Sequence, residues 1–345
     1  MLASAPKKHR LMLLGFGTVA QGLVEILHSK RQELLDKHNF DFDIVSVVTR
    51  SRGTMYHSGG IPTTLLSDLA KTNDPFTRYR EDWDTGTAIR NSEANVVIEL
   101  THTNIDSGEP AISYCTAALE SGKHVVSGNK GPAALANSAL QNLARKNGVR
   151  FLNEATVMSG TPVFSLVKHA LAGNQILKIR GILNGATNYI LSEMEAGVSF
   201  EKAVDTAEKL GYLEADHTAD LEGYDALAKV VILANALMGA SLKPSNVERQ
   251  GISKIGATEI QSAKEAGKRW KLIASIESDA NGLRASVKPE LLDLNDPLAK
   301  AMGTTNSITF TTDLLGEVTI SGPGAGRTET GYAVLSDLLT INAGD

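Results

Sequence analysis

The chain has 345 residues, of which 42% are hydrophobic and 21% charged, and its formal net charge is -5. This length predicts about two domains, and the composition is that of a globular protein, which excludes a disordered, collagen-like or coiled-coil chain. Because acidic residues slightly outnumber basic ones, the chain lacks the excess of positive charge that favours binding to nucleic acid or to an anionic membrane surface. A small-molecule partner is therefore expected.

Cysteine content and the N-terminus indicate the compartment. The single cysteine, Cys115, excludes an intrachain disulfide and a zinc site built on paired thiolates. The apolar run that follows Arg10 is too short for a signal sequence and ends in glycines, so it predicts a first strand. Since no stretch reaches the roughly 18 apolar residues of a membrane-spanning helix, we expect a soluble, cytoplasmic protein.

In the first half of the chain, apolar runs of strand length alternate with segments of helical period. This pattern predicts an α/β domain with a Rossmann-type, doubly wound parallel sheet. The stretch 51–95 is polar and predicts only loops with one or two short helices. The predicted strands are 11–14, 44–48, 96–100, 125–127 and 149–152, and the predicted helices are 20–28, 110–120 and 133–145.

After residue 155, helices mix with strands that are joined by turns. Asn281-Gly282 between two apolar runs is a strong hairpin signal, and Leu315-Gly316 suggests a second hairpin. We therefore predict a second, α+β domain with a mixed sheet covered by helices. Its predicted helices are 162–171, 188–196, 200–210, 225–238 and 259–266, and its predicted strands are 272–276, 283–287, 308–311 and 318–320.

A glycine-rich loop stands between the first predicted strand and the first predicted helix. Gly15, Gly17 and Ala20 have the spacing G-x-G-x-x-A in the context that the dinucleotide fingerprint requires. Gly15 would permit the tight turn, Gly17 the approach of a pyrophosphate, and the helix N-terminus its binding through N–H groups. The alternative is a glycine turn in an unrelated α/β fold. The expected cofactor-binding residues of this loop are Gly15, Phe16, Gly17 and Thr18.

The end of the second strand distinguishes the two nicotinamide dinucleotides. An acid there would bond the ribose hydroxyls of NAD, whereas an arginine would take the 2′-phosphate of NADP. Here the chain reads VVTRSRG, without an acid. Arg50, with Arg52 as a helper, therefore favours NADP; if both are solvated loop arginines, NAD is the alternative.

A lysine follows the acid-rich stretch GYLEADHTADLEGYDALAK. Asp225 and Lys229 are i and i+4 on a predicted helix that continues into the apolar run 230–238, so Lys229 is expected to be partly desolvated. Burial lowers the pKa of a lysine and a neighbouring carboxylate raises it, and a lysine between these effects can exchange a proton with a substrate oxygen. The alternative is a surface pair beside an acidic turn.

Two further positions are candidates for chemistry. Lys130 follows the strand that ends near Ser127, on the side where open α/β sheets bind ligands; the alternative is a loop lysine before a helix. Glu154 precedes small, turn-prone residues, so its carboxylate and nearby backbone carbonyls form a candidate site for a hard cation.

Together, seven stretches resemble homoserine dehydrogenases over nearly the whole chain. They are LGFGTVAQGL, IELTHTNIDSGEPA, HVVSGNKGP, NEATVMSGTPV, ILNGATNYIL, GYLEADHTADLEGYDALAK and ISGPGAGRTETGYAVLSDL. The acidic stretch is the most specific, because it matches the family's signature around its substrate site. The resemblance implies an NAD(P)-dependent oxidoreductase that interconverts L-aspartate 4-semialdehyde and L-homoserine by hydride transfer, in threonine, methionine and isoleucine biosynthesis.

The resemblance also implies roles for single residues. Lys229 would be the proton donor and acceptor, Lys130 a second lysine near the reacting carbonyl, and Asp225 the residue that orients Lys229. The substrate would be bound by Glu214, Asp220, Tyr212 and Gly185. Further cofactor contacts would come from Val19, Thr101, Lys130 and Gly326. A monovalent cation, usually sodium in the family, would be held by Glu154 and the carbonyls of Val157, Ser159 and Thr161.

The same resemblance implies a domain plan. Residues 1–155 would bind the dinucleotide, with a C-terminal helix over 326–345 packed back on them, and 156–325 would bind substrate, perform catalysis and form a homodimer. We expect a short form without an aspartate kinase or a C-terminal regulatory domain, and hence no threonine feedback through such a domain. The chain departs from the usual family pattern at Asp216-His217, at Gly185-Ala186 and at Met158-Ser159.

Two other classes of function were open to the same residues. A semialdehyde dehydrogenase needs a cysteine nucleophile, but Cys115 lies in a helix of apolar period and is expected in the core. A dinucleotide sensor without catalysis has no need of Lys130, Lys229 and the acids around them.

Overall fold

The computed structural model describes residues 8–213, 216–279 and 282–344. Glu214 and Asn281 therefore lie outside the described residues. The chain divides into two compact units: residues 1–160 with 326–345 form the first unit, and residues 161–325 form the second.

A seven-stranded sheet forms the centre of the first unit. Its strands are β1 (Lys8–Leu14), β2 (Asp41–Thr49), β3 (Gly53–Tyr56), β4 (Arg80–Glu81), β5 (Val96–Glu99), β6 (His124–Ser127) and β7 (Phe151–Leu152). They follow the order β4-β3-β2-β1-β5-β6-β7. The five neighbouring strands β2, β1, β5, β6 and β7 are parallel. The predicted Rossmann-type α/β sheet is confirmed.

The β2 edge of this sheet differs from the prediction. β3 and β4 are antiparallel strands within 51–95, where only loops and short helices were expected. They have four and two residues, too few for a visible alternation, although Thr54 and Met55 are buried. These strands form because β2 offers an open edge, which the local pattern does not reveal.

The α-helices that precede the second unit in the described part of the chain are α1 (Thr18–Ser29), α2 (Arg31–His38), α3 (Thr63–Leu69), α4 (Thr85–Asn91), α5 (Ala111–Glu120), α6 (Lys130–Leu135) and α7 (Asn137–Lys146). The helix expected over 133–145 is two helices, because the backbone at Ala136 leaves helical geometry. Alternate residues of β1 enter cores on opposite faces of the sheet: Leu11 and Leu13 on one, Met12 and Leu14 on the other.

A mixed, six-stranded sheet forms the second unit, as predicted. Its strands are β8 (Ile176–Ile182), β9 (Glu248–Arg249), β10 (Lys268–Asp279), β11 (Gly282–Asp293), β12 (Thr305–Thr312) and β13 (Gly316–Pro323). Their order is β13-β12-β8-β10-β11-β9, and only the β11–β9 pair is parallel among the described pairings. The antiparallel pairs β10–β11 and β12–β13 confirm both hairpins.

The central strand β8 was missed by the sequence analysis. Its polar residues Lys178 and Arg180 interrupt the apolar run, so the segment does not read as a buried strand. In the structure these two cations are satisfied across the sheet, Lys178 by Glu277 and Arg180 by Glu290 and Asp296. The long-range ion pairs permit a charged strand at a central position.

The helices of the second unit are α8 (Gly185–Glu195), α9 (Phe200–Lys209), α10 (Thr218–Leu221), α11 (Tyr224–Leu237) and α12 (Ala257–Glu265). The helix expected over 162–171 is present but shorter and partly π-helical: residues 164 and 165 are α-helical, and Leu166–Ala170 form a π-helical segment. The N–H of Val167 still bonds the carbonyl of the fully buried Val163 over 3.2 Å, so the helical hydrogen bonds begin at Val163.

The last helix, α13 (Arg327–Ala343), belongs to the first unit. Its buried residues Val334, Leu335 and Leu338 join the core that contains Leu23 of α1. Gly22 of α1 makes this close approach possible, since a Cβ atom there would lie 2.2 Å from the carbonyl oxygen of Arg327. Among the described residues, no helix is both long and apolar enough to span a membrane.

Candidate active site

The glycine loop of the first unit lies where β1 turns into α1, beside the carboxyl end of β5. Gly15 has a φ angle of +90° and donates its N–H to the carbonyl of Val48 over 2.8 Å. A Cβ atom on Gly15 would lie 2.5 Å from the carbonyl oxygen of Leu100, so both the backbone conformation and the space require glycine.

The next glycine leaves the N-terminus of α1 open. A Cβ atom on Gly17 would meet no described heavy atom within 4 Å beyond its chain neighbours. Thr18, the first residue of the 12-residue helix, is exposed, whereas Ala20 is fully buried. Backbone N–H groups and the positive end of the helix dipole therefore meet an open space, which is the arrangement that suits a phosphate group.

The two arginines after β2 have different surroundings. Arg50 is exposed in the turn between β2 and β3. Arg52 is buried: its guanidinium donates to the carbonyls of Asp74 and Leu69 at 2.8 and 3.0 Å and stacks over Phe76 at 4.7 Å. Arg52 is thus a core residue and cannot serve as the surface helper for a 2′-phosphate that the sequence suggested.

Other predicted cofactor residues lie at the carboxyl end of the same sheet. Thr101 follows β5, and Lys130 is the first residue of α6, which Asn129 caps by accepting the Gly131 N–H over 2.9 Å. Gly326 precedes α13 with a φ angle of +139°, and a Cβ atom there would lie 2.0 Å from Oε2 of Glu329. Glu99, the last residue of β5, was not predicted, although it is buried at this edge.

In the second unit, the predicted lysine and its acid are confirmed neighbours on α11. Nζ of Lys229 donates to Oδ2 of Asp225 over 2.8 Å and to the carbonyl of Leu183 over 2.6 Å. The Lys229 side chain is only 8% exposed and the Asp225 side chain 17%. A charged pair this deep needs full hydrogen bonding, and the Leu183 carbonyl supplies an additional acceptor.

Asn184 connects this pair to the rest of the acidic stretch, and sequence reasoning did not identify it. Its Nδ2 donates to Asp220 over 2.6 Å and to Asp225 over 3.0 Å. Its Oδ1 caps α8 by accepting the N–H of Thr187 over 2.9 Å. An asparagine followed by Gly-Ala-Thr is a helix N-cap signal, and that signal was available in the sequence.

The remaining predicted substrate residues lie on neighbouring elements. Gly185 begins α8, where a Cβ atom would lie 2.7 Å from the carbonyl oxygen of Thr304, so glycine is required by space. Tyr212 is 43% exposed and meets the ring of Tyr189 edge-on at 5.2 Å. Glu214 belongs to the part of the chain that the structure does not describe.

The predicted cation ligands follow β7. Glu154 begins a buried 3₁₀ turn and donates its backbone N–H to Asp337 over 2.9 Å. Val157 and Ser159 are buried, and Ser159 has a φ angle of +52°, which is unusual for a residue with a side chain. Thr161 starts the second unit, where its hydroxyl donates to the carbonyl of Pro323 over 3.1 Å. No group of three or more His, Cys, Asp or Glu side chains is arranged for a metal within the described residues.

The cysteine nucleophile of the alternative enzyme is ruled out by burial. Cys115 is fully buried in α5, among the apolar residues of one core. Burial raises the pKa of its thiol well above the ordinary value, so the reactive thiolate is disfavoured. Cys115 is a core residue, as the apolar period of its helix predicted.

Comparison with known proteins identifies the family. Residues 15–154 match the family model for the NAD-binding domain of homoserine dehydrogenase, and residues 162–339 match the homoserine dehydrogenase model. A relative from Pseudomonas canavaninivorans, named NAD(+)-dependent homoserine dehydrogenase, is 43% identical over 339 residues, covering 97% of this chain and 96% of that protein.

Solved structures agree with the sequence relatives. The crystal structure of a putative homoserine dehydrogenase from Archaeoglobus fulgidus superposes with a TM-score of 0.87 at 36% identity, covering 97% of this chain and 99% of that one. A hyperthermophilic archaeal homoserine dehydrogenase in complex with NADPH superposes with a TM-score of 0.83 at 28% identity, covering 98% and 99%. The chain therefore belongs to the homoserine dehydrogenases and is an NAD(P)-dependent oxidoreductase.

Proposed function

We propose that this family member interconverts L-aspartate 4-semialdehyde and L-homoserine with Lys229 as the proton donor and acceptor, in threonine, methionine and isoleucine biosynthesis. The observation that supports this most is the Lys229 ammonium, held between Asp225 and the Leu183 carbonyl at the start of a buried helix. A general acid must be held in one place and must be able to reach the substrate oxygen. Lys229 meets the first requirement, and its remaining exposure is compatible with the second.

The reaction needs one hydride and one proton. When bound, the nicotinamide dinucleotide supplies the hydride for the aldehyde carbon, or accepts it from homoserine. Lys229 donates a proton to the carbonyl oxygen as the new C–H bond forms, and it takes the proton back in the oxidation direction. The resemblance assigns Lys130 as the second lysine of this step.

The acids have the task of binding the substrate ammonium group. We propose that Asp220, together with Glu214, accepts hydrogen bonds from that ammonium while Asp225 orients Lys229. Asn184 holds Asp220 and Asp225 at one amide group, which fixes the spacing of the two carboxylates. Glu214→Gln should raise KM for homoserine, since a charge-assisted hydrogen bond is about twice as strong as a neutral one.

The glycine loop is suited to the dinucleotide. Gly17 leaves the N-terminus of α1 open, and Gly15, Phe16, Thr18 and Val19 complete the loop. These residues would hold the pyrophosphate, with Thr101, Lys130 and Gly326 as further contacts.

We propose NADP as the preferred cofactor on the basis of Arg50 alone, since Arg52 is buried. The relatives include an NAD(+)-dependent enzyme and a structure with NADPH, so NAD is the alternative. A guanidinium bonds a phosphate in bidentate fashion. Arg50→Ala should therefore raise KM for NADP by about tenfold and leave KM for NAD nearly unchanged. Equal effects on both cofactors would show that Arg50 does not recognise the 2′-phosphate.

We also propose a monovalent cation, sodium in the family, at the turn after β7. One buried carboxylate, Glu154, with the carbonyls of Val157 and Ser159 is a donor set of suitable hardness, and the Thr161 carbonyl is the fourth group that the resemblance implies. The positive φ angle of Ser159 keeps a left-handed backbone where the family commonly has glycine. Activity and Tm measured in sodium against a tetraalkylammonium salt would test this site.

A homodimer formed by the second unit and a cytoplasmic location stay predictions. Light scattering of an active preparation at micromolar concentration should give twice the mass of one chain. A mass equal to that of one chain would exclude the dimer.

The decisive test of the activity is the absorbance of reduced nicotinamide when the protein is mixed with homoserine and either NADP or NAD. Homoserine-dependent reduction is expected. Cofactor binding without any reduction would contradict the proposed reaction and would favour a dinucleotide sensor.

A further inference from the structure

The carboxyl end of β5 holds a carboxylate that the proposed reaction leaves without a task. Glu99 is fully buried, and its Oε1 accepts hydrogen bonds from the backbone N–H of Thr101, over 2.9 Å, and from the Thr101 hydroxyl. Its Oε2 accepts a longer bond, 3.4 Å, from the hydroxyl of Ser127. Burial raises the pKa of Glu99, and these neutral donors lower it in part.

Such a carboxylate is costly for the fold. Burying a charged group costs free energy unless the group is hydrogen-bonded, and the rest of β5 is the apolar run Val96–Ile98. A leucine at position 99 would avoid that cost, but it would leave the N–H and hydroxyl of Thr101 and the hydroxyl of Ser127 without this acceptor. The presence of a carboxylate is better explained by the groups that it holds.

The groups held by Glu99 belong to the segments that leave β5 and β6. Asn129 donates its backbone N–H to the Ser127 hydroxyl over 3.2 Å and its Nδ2 to the Thr101 carbonyl over 3.2 Å. The Oδ1 of the same asparagine caps α6, whose first residue is Lys130. One hydrogen-bonded network therefore runs from the Glu99 carboxylate to Thr101 and to the start of α6.

We propose that Glu99 is a positioning residue for the cofactor: it fixes Thr101 directly, and the start of α6 through Ser127 and Asn129, in the conformation that meets the bound dinucleotide. This inference rests on the proposed function, which assigns Thr101 and Lys130 to the cofactor and the reaction. Glu99 itself need not touch the cofactor. Replacing Glu99 should weaken cofactor binding more than it weakens substrate binding.

Three variants of the full chain separate this role from stability. Glu99→Leu removes the acceptors. Glu99→Gln keeps the shape, because its amide oxygen can accept both bonds from Thr101 while its amide nitrogen donates to Ser127. Lys123→Met is the matched control. Lys123 is buried just before β6, at the amino end of the parallel strands, and its ammonium donates to the carbonyls of Ser92 and Ala94 at 2.7 Å.

The measurements are Kd for NADPH from nicotinamide fluorescence without substrate, Tm, and the kcat and KM for homoserine. Glu99→Leu should raise Kd by about tenfold, the equivalent of one or two lost hydrogen bonds, with KM for homoserine nearly unchanged. Glu99→Gln should restore Kd to within roughly threefold of the parent. Lys123→Met should lower Tm and leave Kd unchanged.

A parental Kd in Glu99→Leu would overturn the proposal, and so would a rise in Kd for Lys123→Met as large as that for Glu99→Leu. If Glu99→Leu does not fold, Ser127→Ala decides: it removes the link between Glu99 and Asn129, and an unchanged Kd would then overturn the proposal. The binding titration uses no homoserine. A failure of the proposed reaction in the parent protein is therefore distinguishable from a failure of this inference.

Discussion

Two lysines are buried in the second unit, and they have different neighbours. Lys229 lies at the start of α11, with its side chain 8% exposed and its ammonium bonded to the Asp225 carboxylate. Lys271 lies within β10 and is fully buried, and its ammonium donates to Oδ1 of Asn188 over 2.7 Å and to the carbonyl of Ala301 over 2.6 Å. Burial lowers the pKa of Lys271 to about 8.

The difference bears on which buried lysine the proposed reaction can use for proton transfer. A lowered lysine pKa in a structure is often read as a sign of a functional site. Lys271 has that sign, yet its ammonium is fully buried and donates to two neutral acceptors. Lys229 is also buried, but it is held by the Asp225 carboxylate, which Asn184 links to the candidate substrate residue Asp220. The charge of the partner therefore separates the two lysines better than burial does.

The largest effect should come from removing Lys229. Lys229→Ala should lower kcat by about 10² to 10⁴-fold, the usual contribution of general acid catalysis, and leave the Kd of the cofactor nearly unchanged. Steady-state kinetics with homoserine and a fluorescence titration with NADPH measure the two quantities. Near-parental turnover would remove Lys229 from the mechanism.

The matched control for this variant is Lys271→Met. It removes the other buried ammonium and should keep kcat within about threefold, because Lys271 has no task in proton transfer. If Lys271→Met lost as much activity as Lys229→Ala, the contrast between the two lysines would be wrong.

How much of the contrast was predictable depends on how local each contact is. The Asp225–Lys229 pair was predicted because i and i+4 residues share a helix face. The Leu183 carbonyl and Asn188 lie 46 and 83 positions from the lysines that they bond, so no local pattern indicates them. No local sequence pattern marked Lys271, because Asn188 and Ala301, which accept its hydrogen bonds, are distant in the sequence.

The same distinction applies to the fold and to the cofactor region. The glycine loop and the parallel strands were predicted because each has a local sequence pattern, namely the spacing of Gly15, Gly17 and Ala20 and the short apolar runs. The strand β8 was missed because its charged residues are satisfied only by distant strands. Glu99 was missed because a single acid at the end of an apolar run resembles the start of a loop.

A smaller effect is expected from Asn184, which connects the pair at Lys229 to Asp220. Asn184→Ala removes the donor to both acids and the N-cap of α8. Loss of an N-cap costs about 0.5 to 2 kcal/mol, so Tm should fall by a few degrees. Since two like charges then lose their shared donor, kcat/KM for homoserine should fall by roughly 10 to 100-fold.

Asn184→Asp separates the two roles of that asparagine. Aspartate also caps helices well, so it should restore Tm, but it places a third carboxylate against Asp220 and Asp225 and should not restore kcat/KM. Recovery of kcat/KM together with Tm would mean that Asn184 acts only as a cap.

The last effect concerns stability, not catalysis, and is confined to alkaline pH. Lys271 has a folded pKa of about 8 against an ordinary value of 10.5, so between these values the unfolded chain binds a proton that the folded chain does not. The free energy of unfolding therefore rises with pH across this window. The penalty of burying the ammonium is fully present below pH 8 and disappears as the pH passes 10.5. Relative to Lys271→Met, the parent protein should gain on the order of 3 kcal/mol.

The measurement is urea unfolding at several pH values from 7.5 to 10.5, in a Trp83→Phe background so that Trp270, next to Lys271 on β10, reports on the second unit. Arg269 lowers the pKa of Lys271 and Glu195 raises it, and these two residues are paired with each other at 2.6 Å, so their effects on that pKa oppose each other. Lys271→Met also leaves Oδ1 of Asn188 without its donor, which adds a constant offset but no slope. Parallel pH profiles for the two proteins would mean that Lys271 keeps its proton in the folded state, and the buried ammonium would then be a fixed structural cation that does not titrate below pH 10.5.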